Sequence, residues 1–458
     1  MQKLFDFYEN EVGRYKGERN ALKKRMHLLS LWRIIVFTST VLVVYLLRER
    51  TVWAILLAVA GTAIFLFLVR YYVDVKGKKN LTDVLLRINR TEIDVLNHRF
   101  DHLPDGREYM DPGHAYAHDL DLFGSGSFFQ YINRTALGQG RNLLARLILA
   151  NDIEAIPAKQ ETIDELAQMP GWRQDFTARA QLIKTHVGLT TIQKWLNGYT
   201  PFVPKLMRWL PWVFLGVSLI LLALAFWFPQ WGVMLIVWMG LGLMITGRSF
   251  KKISRLTSTS GKVQSTFGQY AKLLQIIETT DFASAQLRLQ RQQLRVGGRS
   301  ATAAIKRFSR LLDRMDYNNN VFYALFANGC FLGALQTAHA LEQWINEHGS
   351  SVDVWFKTVA FFDAWNSLGN FAFNHPLYAY PIIQNGHTVL AATDAGHPII
   401  PSEQNVHNDF EINDEEFLIV TGANMAGEST FFINVFLQNG VGEKGFVVFA
   451  RKCLFWPL

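Results

Sequence analysis

Residues 209–247, WLPWVFLGVSLILLALAFWFPQWGVMLIVWMGLGLMITG, hold no charged side chain, and no other stretch limits the possible folds as strongly. A helix rises about 1.5 Å per residue and the hydrocarbon core of a bilayer is about 30 Å thick, so roughly 20 apolar residues cross it once. The run is long enough for two crossings, and Pro229-Gln230 near its middle supplies a turn between them. A second pair precedes it: residues 31–47 and 52–69 are apolar and are joined by Arg48-Glu49-Arg50-Thr51. Four membrane spans in two helical hairpins, 31–73 and 209–247, are therefore expected. Buried core helices are the alternative, above all for the first pair, where Arg33 shortens the apolar run. A cleaved signal peptide does not fit, because the second apolar run follows at once with no small-residue cleavage pattern between the two.

The charges flanking these runs give an orientation. Lys23, Lys24 and Arg25 precede the first hairpin and Arg70, Lys76, Lys78 and Lys79 follow it; Lys205 and Arg208 precede the second, with Arg248, Lys251, Lys252 and Arg255 after it. The positive-inside rule puts the N-terminus, the middle segment and the C-terminal segment in the cytoplasm, against the smaller contribution of Arg48 and Arg50. The expected location is the cytoplasmic (inner) membrane, with the lipid bilayer as a partner. Much of the net charge of +8 borders these spans, so headgroup contact and insertion topology account for it without nucleic acid. Cys330 and Cys453 are the only cysteines, which excludes a disulfide framework.

Between and after the hairpins the pattern is helical. Segments such as RNLLARLIL and KQETIDELAQM repeat apolar residues at helical spacing, with Asp152 and Thr162 as helix-start residues. A long Gln- and Leu-rich helix is expected over 264–294, then a turn at Gly297-Gly298 and a further helix from about Ser300. That helix carries Lys306, Arg310 and Arg314 at four-residue spacing, a basic face that could touch DNA phosphates or lipid headgroups, although a solvated face is the more common outcome of such spacing. The apolar run 321–335 contains Asn328 and two glycines and reads as a buried core helix rather than a fifth span. His98, His102, His114 and His118 lie in NHRFDHLPDGREYMDPGHAYAHD, whose Pro and Gly spoil the geometry of a helical metal site; a polar linker is the better reading.

Near the end of the chain stands TGANMAGEST, residues 421–430. Gly422 and Gly427 have the spacing of a phosphate-binding loop, and Ser429 and Thr430 follow. The run 416–420 before it reads as a buried β-strand and STFFINVFL after it as the start of a helix, the order in which such loops occur. In that arrangement backbone N–H groups at a helix N-terminus attract phosphate. The lysine that such loops use is absent, and Glu428 stands in its place.

Taken together, DLDLFGSGSFFQYINRTALGQGRNLLARLI, FDAWNSLGNFAFNHPLYAYP, HPII, HND and FLIVTGANMAGEST resemble, in family order, the MutS family of DNA mismatch-repair ATPases. The resemblance covers the helical core and lever from about Asp119 to Trp344, with the second hairpin inserted, and the beginning of the ATPase domain from about Val354. It implies an ABC-type ATPase that forms a homodimer through its ATPase heads. In it Gly422, Asn424, Gly427, Glu428, Ser429 and Thr430 border the phosphates of ATP, and Ser429 holds Mg²⁺. Glu428 then faces phosphate: two like charges ~4 Å apart at an effective dielectric of about 20 repel by about 4 kcal/mol. The Walker B acid pair and signature loop of the family do not follow, so the chain is expected to be a fragment whose ATPase is inactive. Phe7-Tyr8-Glu9 matches the family's mismatch-reading Phe-x-Glu in letters only, and the second hairpin occupies the place of its DNA clamp.

The expected architecture is thus α-helical membrane hairpins and a helical MutS-like core and lever, followed by the start of an α/β P-loop domain. The segments are an N-terminal cytoplasmic helix 1–30, hairpin 31–73, polar linker 74–118, core 119–208, hairpin 209–247, lever helices 248–350 and ATPase segment 351–458. Two functions from different classes follow: a membrane-anchored ATP-binding protein that moves its levers, with or without DNA, and a membrane scaffold that binds a partner and no nucleotide.

Overall fold

The computed structural model of the protein describes residues 2–455 apart from 115, 151–152, 184–188, 297, 318–319, 384–387, 402, 414–415, 417–418, 422–426 and 443. It is mostly helical, with several long apolar helices and a small mixed sheet. Contacts divide it into two compact units, Met1–Leu182 together with Asp363–Leu458, and Ile183–Phe362. Residues 119–182 therefore group with the C-terminal segment by contacts.

In the first unit, α1 (Gln2–Leu46) and α2 (Thr51–Leu96) are two long antiparallel helices packed side by side. Both are apolar enough over part of their length to cross a membrane. Neither stops where its apolar run stops: the expected N-terminal helix 1–30 is continuous with the first span, and 74–96 of the expected polar linker is the continuation of α2. No Pro interrupts either stretch, and their polar ends carry apolar residues at helical spacing that find partners. Tyr15 of α1 and Val84, Leu85 and Leu86 of α2 bury against Ala178, and Leu4 and Tyr8 bury against Leu96. Arg33, inside the apolar part of α1, lies over the ring of Tyr72, 5.0 Å from its centroid, which gives the charge a partner on the neighbouring helix. Tyr8 donates to Asn374 Oδ1 at 2.6 Å and Phe7 packs edge-on to Phe373, so the Phe7–Tyr8 aromatics are structural anchors.

Four shorter helices follow, α3 (Phe128–Ile132), α4 (Gly138–Leu149), α5 (Ile156–Ala167) and α6 (Pro170–Gln181). Ser127 caps α3 by accepting from the Gln130 amide. The segment that enters α4 is held from far away in sequence: Asp363 accepts from the amides of Ala136 and Leu137 at 3.0 and 2.9 Å. Gly140 leaves room for it, since a Cβ there would overlap the Asp363 carboxylate.

The second unit begins with α7 (Leu189–Asn197) and the second hairpin, α8 (Leu210–Trp227) and α9 (Trp231–Arg248), both long and apolar enough to span. Then come α10 (Phe250–Thr279), α11 (Ala285–Gln292), a short antiparallel pair β1 (Arg295–Val296) and β2 (Arg299–Ser300), and α12 (Ala301–Tyr317). The single helix expected over 264–294 is broken at 280–284, where Arg291 reaches back to the Glu278 carbonyl and the Asp281 carboxylate and satisfies the ends. Helices α13 (Val321–Phe331), α14 (Gly333–His348) and α15 (Ser351–Asn374) complete the helical part. Phe267, Phe308, Trp344 and Phe356 form the centre of this unit, and Trp344 Nε1 donates to the Ala304 carbonyl at 2.8 Å.

The run 321–335 is corrected in two ways. It is bent by 79° at Leu332, whose φ of 52° ends α13, and Asn328 Oδ1 ties the bend by accepting from the Ala334 amide. Only its second half is buried, at Ala327–Cys330 against the hairpin; Val321, Phe322, Tyr323, Leu325 and Phe326 are exposed, Phe322 at 87 %. Close packing explains the buried half: a Cβ on Gly242 of α9 would overlap the Gly329 backbone, and Ser218 of α8 donates to the Cys330 carbonyl at 3.1 Å.

After α15 the chain returns to the first unit with β3 (Ile382–Ile383), β4 (Thr388–Ala395), β5 (Asn408–Asn413), α16 (Glu428–Gly442) and β6 (Lys452–Phe455). The sheet order is β3-β6-β4-β5, with β6 parallel to β3 and antiparallel to β4, and β4 antiparallel to β5. Leu390, Ala392, Ala395, Val448, Ala450 and Cys453 bury one face under Val435 of α16.

Candidate functional site

Of the strand expected at 416–420, Phe417 and Leu418 lie outside the described residues; Glu416, Ile419 and Val420 are in no strand, and Ile419 is 80 % exposed. An apolar run becomes a strand only when a neighbouring ladder takes its N–H and C=O groups, and among the described residues none of the four strands of the sheet pairs with Glu416, Ile419 or Val420. The helix expected after the loop is present. Gly427 has φ of +92°, a left-handed conformation that favours glycine, and α16 opens at the next residue. Gly422 and Asn424 lie outside the described residues, as do the side chains of Glu428 and Ser429. Thr430 is exposed in the first turn.

Two buried amides hold α16 in place. Asn434 Nδ2 donates to the Ala395 carbonyl at 3.3 Å; Gln438 Nε2 donates to the Gly396 carbonyl at 3.2 Å and to Asn434 Oδ1 at 3.1 Å, while Gln438 Oε1 accepts from the Phe449 amide at 2.9 Å. These bonds fix the helix N-terminus against the loop 396–407 that leaves β4. That loop is closed by Asn405, which accepts from the His397 amide at 2.9 Å and donates to the His397 carbonyl at 2.8 Å. A Cβ on Gly396 would meet the side-chain ends of Asn405 and His407 at 2.8 Å, so a larger residue there would displace both. His397 Nδ1 accepts from the Ile399 amide at 3.3 Å, which leaves the ring proton on Nε2 when the imidazole is neutral. Burial holds its pKa below the ordinary histidine value, against the opposing effect of Asp121, so the ring is neutral at pH 7.

Between this loop and α16 lies an open pocket of about 450 Å³, bordered by His397, Asn405, Val406, Thr421, Gly427 and Thr430. Its size is that of a small-molecule site. Its chemistry is a neutral ring, an aliphatic wall and the N-terminus of a 15-residue helix, where unpaired N–H groups favour an anion. No lysine or arginine is among the described residues lining it. The described part therefore offers an imidazole, an aliphatic wall and a helix N-terminus, and no cationic side chain. Sequence reading missed Asn405, Asn434 and Gln438. The signal for the last two was present: two amides four residues apart in the otherwise apolar NVFLQ share one helix face.

Lys306, Arg310 and Arg314 are exposed on one face of α12, as their spacing implies. Lys306 donates to Gln275 Oε1 at 3.1 Å, Arg310 reaches the Lys306 carbonyl at 3.4 Å, and Asp313 is exposed in the same helix, which dilutes the positive field. Of the histidine cluster, His98 stacks on Tyr131 and His114 meets Tyr116 edge-on. No group of three or more His, Cys, Asp or Glu side chains converges among the described residues.

Compared with known proteins, the sequence matches no protein-family model and no curated protein.

Proposed function

We propose that the protein is a membrane-anchored relative of the MutS ATPases, in which the pocket at the start of α16 receives a nucleotide and Glu428 keeps it from acting as an ATPase. The observation that carries this reading is the left-handed Gly427 directly before α16, beside a pocket of about 450 Å³ that Gly427 and Thr430 border. His397 and Val406 would face the base; Gly427, Thr430 and the loop amides would face the phosphates, with Ser429 toward Mg²⁺. The four long apolar helices would anchor the chain in the cytoplasmic membrane, and the ATPase heads would pair in a homodimer. DNA contact through Lys306, Arg310 and Arg314 belongs to the same ancestry.

A second reading is favoured by Glu428 and by the lack of a described basic residue in the lining: a membrane scaffold that binds a partner protein and no nucleotide. Titration of the detergent-solubilised chain with a fluorescent ATP analogue and Mg²⁺ separates the two. Weak binding that strengthens in Glu428→Lys supports the first; no binding in either form removes it. Salt-dependent DNA binding lost on charge reversal of the three basic residues would retain the DNA role, and its absence would remove that role.

A further inference from the structure

Away from α16, the first unit contains a half-open cavity of about 290 Å³ between α2, α6, α15 and the segments 102–104 and 133–135. One wall is a completed ion pair. Glu92, buried, bonds Arg134 Nε at 2.6 Å and accepts from Asn374 Nδ2 at 2.9 Å. Burial alone would raise its pKa, but Arg134 with Asn370 and Asn374 reverses the effect and holds the carboxyl below its usual value.

The other wall is not completed. Arg173, 3 % exposed, donates through Nε to the Leu166 carbonyl and through Nη1 to Asn370 Oδ1, while Nη2 has no partner among the described residues. Asn366, also 3 % exposed, has neither amide atom paired, and Asn133 Nδ2 is unpaired although its Oδ1 accepts twice from Thr135. All three side chains line the cavity. Native proteins pair nearly all buried polar atoms, so orphans gathered on one cavity mark a place where something else supplies the partners. Most of the unpaired atoms are donors, and with Arg87 the lining holds three guanidiniums against one carboxylate. Burial lowers the pKa of Arg173 to about 10, which leaves it charged at neutral pH.

We infer that this cavity binds a small oxyanion, a phosphate or carboxylate group on a molecule of metabolite size, held by Arg173, Asn366 and Asn133. Arg87, Thr91 and Glu92 lie on α2, so the bound anion would bridge the extension of a membrane helix to α6 and α15. The site is separate from the α16 pocket and does not depend on what that pocket binds.

The test uses the full chain in detergent, unfolded thermally with increasing inorganic phosphate or succinate, against sodium chloride at equal ionic strength. A saturable rise in Tm with one of the two anions and not with chloride is expected, and which anion acts identifies the group. Asn366→Leu removes orphaned atoms at similar volume; it should fold, keep its Tm without anion or raise it, and weaken the anion by about tenfold or more. Arg173→Gln should abolish the response. The absence of any saturable rise in the wild type overturns the proposal, and so does a rise that survives unchanged in Asn366→Leu, which would place the anion elsewhere.

Discussion

His375 shows how one buried residue sets a pH limit. Its Nδ1 faces the Phe371 carbonyl, which can only accept, so Nδ1 carries the proton and Nε2 accepts from the Tyr131 hydroxyl at 2.9 Å. Burial lowers its pKa from 6.5 to about 4. A depressed histidine contributes stability that is complete above the unfolded value and is lost as pH falls toward the folded one, a swing on the order of 3 kcal/mol between about pH 6.5 and 4. Denaturant melts of wild type and His375→Gln should therefore diverge at pH 7 and converge as pH approaches 4. Asp363, raised by burial to about 7, changes stability in the opposite sense over an overlapping range, so the difference between the two proteins is the readable quantity. At Gly140 the constraint is steric: Gly140→Ala forces a methyl group onto the Asp363 carboxylate and should cost about 1–3 kcal/mol in the same melts.

Among the elements, α16 and α13 owe their positions to contacts that no local pattern encodes. The two ends of the Gln438 amide hold both the β4 exit loop and Phe449. In Gln438→Leu the freed carbonyl and amide stay buried, at about 1–3 kcal/mol each. Hydrogen exchange should then accelerate in α16 and in 396–407, while α10 and α12 remain unchanged. For α13, five large exposed apolar side chains continue the apolar surface of α8 and α9. With the hairpin in a bilayer, they should lie in lipid. Both native cysteines are buried, so Phe322→Cys can be read against a quiet background: in nanodiscs a lipid-soluble maleimide should label it and a charged one should not. Fast labelling by the charged reagent would put the α13 tip in water.

At the scale of the whole chain, four helices are long and apolar enough to cross a membrane, and their basic flanks predict a topology that can be tested. Glu49→Cys between α1 and α2 and Gln230→Cys between α8 and α9 should both react with an impermeant reagent added outside intact cells, and a cysteine at Glu18 should react only after lysis. Protection of either hairpin tip would show that its pair does not cross the membrane. The hairpins were legible because a bilayer imposes a minimum length of uncharged helix that few soluble segments reach. The helix after the glycine loop was equally legible from its composition. The segment before the loop has the residues of a strand, but a strand also needs a ladder partner, and none of its described residues, Glu416, Ile419 and Val420, has one.

The sequence by itself thus determined the apolar spans, the helical character of the rest and the glycine turn into α16, because each depends on residues within a few positions of one another. Only the tertiary structure decided that 119–182 joins the C-terminal segment, that Asp363 holds the segment entering α4, and that the run 321–335 bends at Leu332 with the start of α13 exposed. It alone brought Arg173, Asn366 and Asn133 to one cavity. Those outcomes rest on contacts between residues as far apart in the chain as Ala136 and Asp363. Their energies exist only after packing has removed water from both partners.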